Sequence, residues 1–144
     1  MNKLVSVLCR PYILLRDKYV EILMGRLSEA DRFSLIYKLG YWKGVGKGSL
    51  SGAGSNHDST ENIRQSLPSF VQKYNVNSIL DIPCGDFYWM KDVDLNNANY
   101  FGGDIVKEII FNNSDNFGGA KRHFYGLDII NEQLIQADLV FVRD

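Results

Sequence analysis

The spacing of apolar residues changes twice along this chain, and each change marks an element. Tyr12, Leu15, Tyr19, Ile22, Leu23 and Leu27 recur every three or four positions. That spacing predicts one face of a helix, with Pro11 suited to its first turn. Ser28 and Asp31 resemble an N-cap pair for a second helix carrying Phe33, Ile36 and Tyr37 on one face. Gly40 is its C-cap candidate. The resulting helical hairpin is expected to pack on a sheet or to cover a cleft. The rhythm then stops. Residues 40–56 hold Gly40, Gly44, Gly46, Gly48, Gly52 and Gly54, too many for a helix or strand. A lid with Trp42 as its apolar anchor is expected there.

Helical spacing returns from Ser59 to Tyr74 through Ile63, Leu67, Phe70, Val71 and Tyr74, with Pro68 expected to kink or split the helix. Beyond it, short apolar runs predict strands at about 78–82, 100–105, 122–126 and 138–142. Helices are expected from Tyr88 and from Lys107, the second broken early by Asn112, Asn113, Asn116, Gly118 and Gly119. Strands alternating with helices imply right-handed βαβ units and a parallel sheet. The fold class expected is α/β, with a cap and lid over residues 1–57 and a Rossmann-like domain over 58–144.

At 144 residues the chain fits one domain. Sixteen basic and seventeen acidic residues leave a net charge of −1, so no global field draws nucleic acid. A mildly basic end (Lys3, Arg10, Arg16, Lys18) reads as a solvated helix face. Cys9 and Cys84 are the only cysteines. They give neither a disulfide framework nor metal-ligand spacing, and a reduced, cytoplasmic setting is expected. No stretch approaches the length of a membrane span.

The chemistry gathers after the first strand, in Ser78-Ile79-Leu80-Asp81-Ile82-Pro83-Cys84-Gly85-Asp86. Ligands of open parallel sheets sit beyond the carboxyl ends of the strands. Asp81 stands there, and Gly85 admits a close backbone approach. Asp104, 23 positions on at the end of the second strand, suits ribose hydroxyls. A dinucleotide site wants G-x-G-x-x-G with pyrophosphate on a helix N-terminus. Here there is one glycine, and Asp86 brings negative charge to that place, which favours a zwitterionic or cationic ligand. Structural alternatives stand beside these readings. For Asp81 the alternative is to bind turn N–H groups and for Asp104 to cap the next helix, with ligand contact the favoured reading of both; for Asp128 the cap stands almost level. Cys84 has no histidine near it in sequence to make it a nucleophile. Trp42 and Trp89 suit packing, and His57 and His123 are isolated.

At this turn the chain resembles the class I S-adenosylmethionine-dependent methyltransferases, and more closely a bacterial and phage subgroup whose first motif reads L-D-x-P-C-G-D-F-x-W-M. The likeness extends to Ser51-Gly52-Ala53-Gly54-Ser55 with Thr60, Ile63 and Arg64. It continues through Gly102-Gly103-Asp104-Ile105-Val106, Leu127-Asp128-Ile129 and Ala137–Asp144. The resemblance implies a sheet ordered 3-2-1-4 and S-adenosylmethionine as cofactor. It implies cofactor contacts at Asp81, Pro83, Cys84, Gly85, Asp86, Asp104, Ile105, Asp128 and Ile129. Asp128 would meet the adenine amino group, with Ile129 against the ring.

Arg143 and Asp144, at the tip of the fourth strand, would stand where acceptor and cofactor meet. They are the catalytic candidates, with a salt-bridged strand end as the alternative. The expected acceptor is a small molecule or glycan, with no metal, nucleic acid or membrane. The family continues for three further strands where this sequence stops. A C-terminally truncated domain, self-associating through its fourth strand, is therefore expected. A non-catalytic cofactor-binding remnant and another nucleotide-binding Rossmann module are the alternatives.

Overall fold

The computed structural model describes Ile22, residues 24–43 and residues 48–143. The stripe from Tyr12 to Leu23, apart from Ile22, lies outside the described residues, as do Cys9, Gly44, Gly46 and Asp144. From Glu29 onward, the elements among the described residues are, in order, α1 (Glu29–Leu39), α2 (His57–Lys73), β1 (Ser78–Asp81), β2 (Asn99–Asp104), α3 (Lys107–Phe117), β3 (Arg122–Gly126) and β4 (Leu139–Phe141). Single 3₁₀ turns cover Ala53–Ser55 and Met90–Asp92.

The strands form one all-parallel sheet in the order β3-β2-β1-β4. Ile79 pairs with Tyr100 on one side and Leu139 on the other, and Phe101 pairs with His123. This is the α/β arrangement of a Rossmann-like fold. A reciprocal clamp fixes the long-range pair β1–β4. Asp138 accepts from the backbone N–H groups of Asn77 and Ser78 at 2.8 and 3.0 Å, and its own N–H donates to Ser78 Oγ at 2.9 Å.

The central strand is buried on both faces, as parallel sheets require. Ile79 and Leu80 are wholly inaccessible to solvent. Ile79 belongs to a core with Leu67 and Val71 of α2 and with Phe87, Met90, Tyr100 and Phe124. Around Phe87 the rings of Tyr100, Phe117 and Phe124 lie within 5.0–5.3 Å. A Cβ at Gly102 would come within 2.7 Å of the Phe124 ring, so the sheet closes on that ring only with glycine there.

Two expectations about helices are corrected. No α-helix starts at Tyr88. The chain passes through turns, with Phe87 at φ 56°, into the Met90–Asp92 turn. Phe87, Trp89 and Met90 are all buried, and a helix would turn part of so short a run outward. The helix from Lys107 runs eleven residues to Phe117, through Asn112, Asn113 and Asn116, all three of which were expected to break it. Pro68 sits inside α2 without splitting it.

The Ser28–Asp31 cap forms, with Ser28 Oγ accepting from the Asp31 N–H at 3.1 Å. Gly40 closes α1 in the left-handed conformation. Among the described residues no helix is long and apolar enough to cross a membrane.

Candidate functional site

Beyond the carboxyl ends of the strands lies a cleft of about 390 Å³, within the range of small-molecule sites. The strand order reverses between β1 and β4, and such a switch point is where open α/β sheets place their ligands. Each strand supplies lining from its tip. Asp81 and the turn after β1 lie beside Asp104 and Ile105 after β2, Asp128 and Ile129 after β3, and Phe141 and Arg143 from β4. All nine cofactor candidates, Asp81, Pro83, Cys84, Gly85, Asp86, Asp104, Ile105, Asp128 and Ile129, line this one cleft, together with Arg143. Asp144 lies outside the described residues.

Asp81 ends the central strand and is almost fully buried. Burial is the main influence on its carboxyl, raising its pKa to about 7 against the opposing pull of a hydrogen bond from the Tyr100 hydroxyl at 2.5 Å. Asp104 is also buried, and burial raises it too. Its two oxygens accept from the N–H groups of Val106 at 2.9 Å and Gly85 at 3.0 Å, which limit the rise. Asp104 thus ties the tip of β2 to the turn after β1. Carboxylate oxygens carry about four lone-pair sites in all, so capacity remains toward the cleft.

Gly85 adopts φ 55°, and a Cβ there would collide with Ser51 Oγ. The close approach at this glycine is made, in the structure, by Ser51 of the glycine-rich segment. Asp86 explains why. Its carboxylate accepts from Ser49 Oγ at 2.8 Å, the Leu50 N–H at 2.5 Å and Ser51 Oγ at 3.2 Å, while its own N–H donates to Ser51 Oγ at 3.0 Å. The acid that argued against pyrophosphate is the anchor of the glycine-rich segment. Asn56 completes it, its Oδ1 accepting from the Ser49 N–H at 2.9 Å.

Cys84 is buried, and burial pushes its thiol well above the usual range. A thiolate nucleophile is thereby disfavoured. Asp128 Oδ1 accepts from the N–H groups of Ile130 and Asn131 and its Oδ2 from the Asn131 amide, and these bonds hold its carboxyl below the usual range. Arg143 donates to the Gly54 carbonyl at 2.6 Å and stacks over Trp89. His57 packs against Tyr88 and lies 3.5 Å from Asp92, while His123 stacks on Phe101. Among the described residues no cluster of histidine, cysteine and acids could hold a metal ion.

No family model, curated protein or solved structure matches this chain.

Phe33 and Tyr37 reach the cleft from α1, on the helix face expected to pack on a sheet or to cover a cleft. Glu29, which lines the cleft beside them, was not singled out by the sequence, although its i, i+4, i+8 spacing with Phe33 and Tyr37 was the available signal. Asn113 lies behind the site, buried in α3. Its amide donates to the Gly85 carbonyl at 2.8 Å and supports the β1 turn from below. A buried polar residue must find a partner, but which partner depends on tertiary structure.

Proposed function

We propose that this chain binds S-adenosylmethionine and is a class I methyltransferase domain acting on a small molecule or glycan in the cytoplasm. The charge of the cleft carries the reading. Among the described residues, four carboxyl groups line the floor beneath the strand tips, those of Asp81, Asp86, Asp104 and Asp128, against the single guanidinium of Arg143. Such a lining favours a ligand with positive charge, as the sulfonium and ammonium groups of that cofactor have, and disfavours a pyrophosphate. The turn after β1 also leads into no α-helix whose N-terminus would hold phosphate.

The roles follow from position. Asp104 takes the ribose hydroxyls through its remaining lone pairs. Asp128 and Ile129 flank the base. Asp81 faces the cationic amino-acid end. Methyl transfer asks chiefly for alignment of an acceptor with the sulfonium methyl, and the wall opposite the strand tips provides the surface for it. Arg143, held by Gly54 and Trp89, is a positioning group at the acceptor side.

Calorimetry with S-adenosylhomocysteine and with NAD tests the assignment. S-adenosylhomocysteine should bind and NAD should bind more weakly or not at all. Asp104→Asn should weaken S-adenosylhomocysteine by about 1.5–3 kcal/mol, the scale of a hydrogen bond to a charged group. Tighter binding of NAD would refute the proposal.

A further inference from the structure

We infer that the wall built by α1 and Trp42 recognises a cationic amine on the acceptor, an inference that rests on the methyltransferase reading above. Glu29, Phe33 and Tyr37 lie four residues apart on α1 and form a single stripe facing the cleft. The Trp42 ring closes the stripe, 5.9 Å from Phe33 and 5.7 Å from Tyr37, tilted on the first and edge-on to the second. One side of the cavity thus carries three aromatic rings and, at the end of the stripe, a carboxylate.

This combination is selective for one chemistry. Ring faces are negative at their centres and attract a cation by about 0.5–2 kcal/mol. A carboxylate adds a charge-assisted hydrogen bond to an N–H donor. A neutral group of the same shape gains only the apolar contact, and an anion meets the acidic lining. Tyr37 contributes a ring without a charge. Its hydroxyl is fixed 2.8 Å from Ser51 Oγ, and burial raises its pKa.

The wall is separate in sequence from the cofactor floor. It comes from the segment before β1, whereas the ribose and base contacts come from the tips of β2 and β3. It is also coupled to that floor, because Ser51 bonds both Tyr37 and the Asp86 backbone. The acceptor amine and the cofactor are therefore held by neighbouring parts of one hydrogen-bonded unit.

The test is an NMR titration of the 144-residue protein at neutral pH with 2-phenylethylamine and with its uncharged counterpart 2-phenylethanol. Each is run with and without saturating S-adenosylhomocysteine. The amine should bind at least tenfold more tightly than the alcohol. Glu29→Gln and Trp42→Leu should each reduce that preference at least threefold while leaving S-adenosylhomocysteine affinity within twofold. Equal affinities, no binding of either probe, or an undiminished preference in Glu29→Gln would overturn the inference. Displacement of the amine by S-adenosylhomocysteine would also overturn it, since the cation subsite would then belong to the cofactor. Failure of S-adenosylhomocysteine to bind refutes the methyltransferase reading instead. The amine preference of the free protein then still decides whether the wall selects cations.

Discussion

Gly85 and Asp81, four residues apart, carry opposite kinds of constraint. Gly85 is fixed by backbone and by space at once, with φ 55° and Ser51 Oγ where a Cβ would go. A left-handed non-glycine residue costs about 1–2 kcal/mol from backbone alone. Gly85→Ala should therefore destabilise the protein by about 2 kcal/mol or more in urea denaturation. The double variant with Ser51→Gly should recover the steric share but not the backbone share. A loss below about 0.5 kcal/mol in the single variant would contradict this.

Asp81 is constrained by charge. Its folded pKa of about 7 lies above its ordinary 3.8, so the folded state holds a proton that the unfolded chain has released between those values. Its contribution is favourable below pH 4 and is lost as pH rises to 7, a change on the order of 4 kcal/mol. Asp81→Asn should gain stability relative to the parent between pH 5 and pH 8, measured by melting temperature. A difference independent of pH would show the carboxyl to be ionised throughout.

Among elements, the glycine-rich segment depends most on a single side chain. Three donors of residues 49–51 converge on Asp86. Losing a hydrogen bond to a charged group costs about 1.5–3 kcal/mol. Asp86→Ala should speed amide hydrogen exchange at Leu50 at least tenfold while the β1 amides keep their protection. Unchanged exchange at Leu50 would mean that the segment is held by other contacts. Elements with local causes were legible in the sequence. The four strands fall within a residue or two of their apolar runs, and the Ser28 and Gly40 caps form as their side chains dictate. The turn after Asp81 and the acids at the strand tips were legible for the same reason. What was missed depends on distant partners. Asn113 stays helical because its amide has a buried acceptor at Gly85, which outweighs a weak helix preference. The run from Phe87 to Met90 is apolar enough for a helix, yet the core draws in more of its side chains than one helical face could bury. Asp86 was read correctly as an obstacle to phosphate, but its hold on Ser49 and Ser51 crosses 35 or more residues.

For the whole molecule, the sheet edge at β4 is expected to decide behaviour in solution. Among the described residues β4 pairs only with β1, and Val140 and Val142 are 49% and 59% exposed. An exposed apolar edge is a template for pairing with another chain. Light scattering should show mass rising with concentration, and Val140→Lys should suppress the rise; a constant monomer mass would refute it. The clamp between Asp138 and Ser78 has a further consequence, in the order of assembly. It joins residues 60 apart in sequence, whereas β1 finds β2 across a much shorter loop. Closing the longer loop costs more entropy, and only three residues of β4 repay it. β4 is therefore expected to dock after β1, β2 and β3 on folding and to open before them. Because Phe141 and Arg143 line the cleft, such an opening would uncover the candidate site from the side while β1, β2 and β3 stay paired.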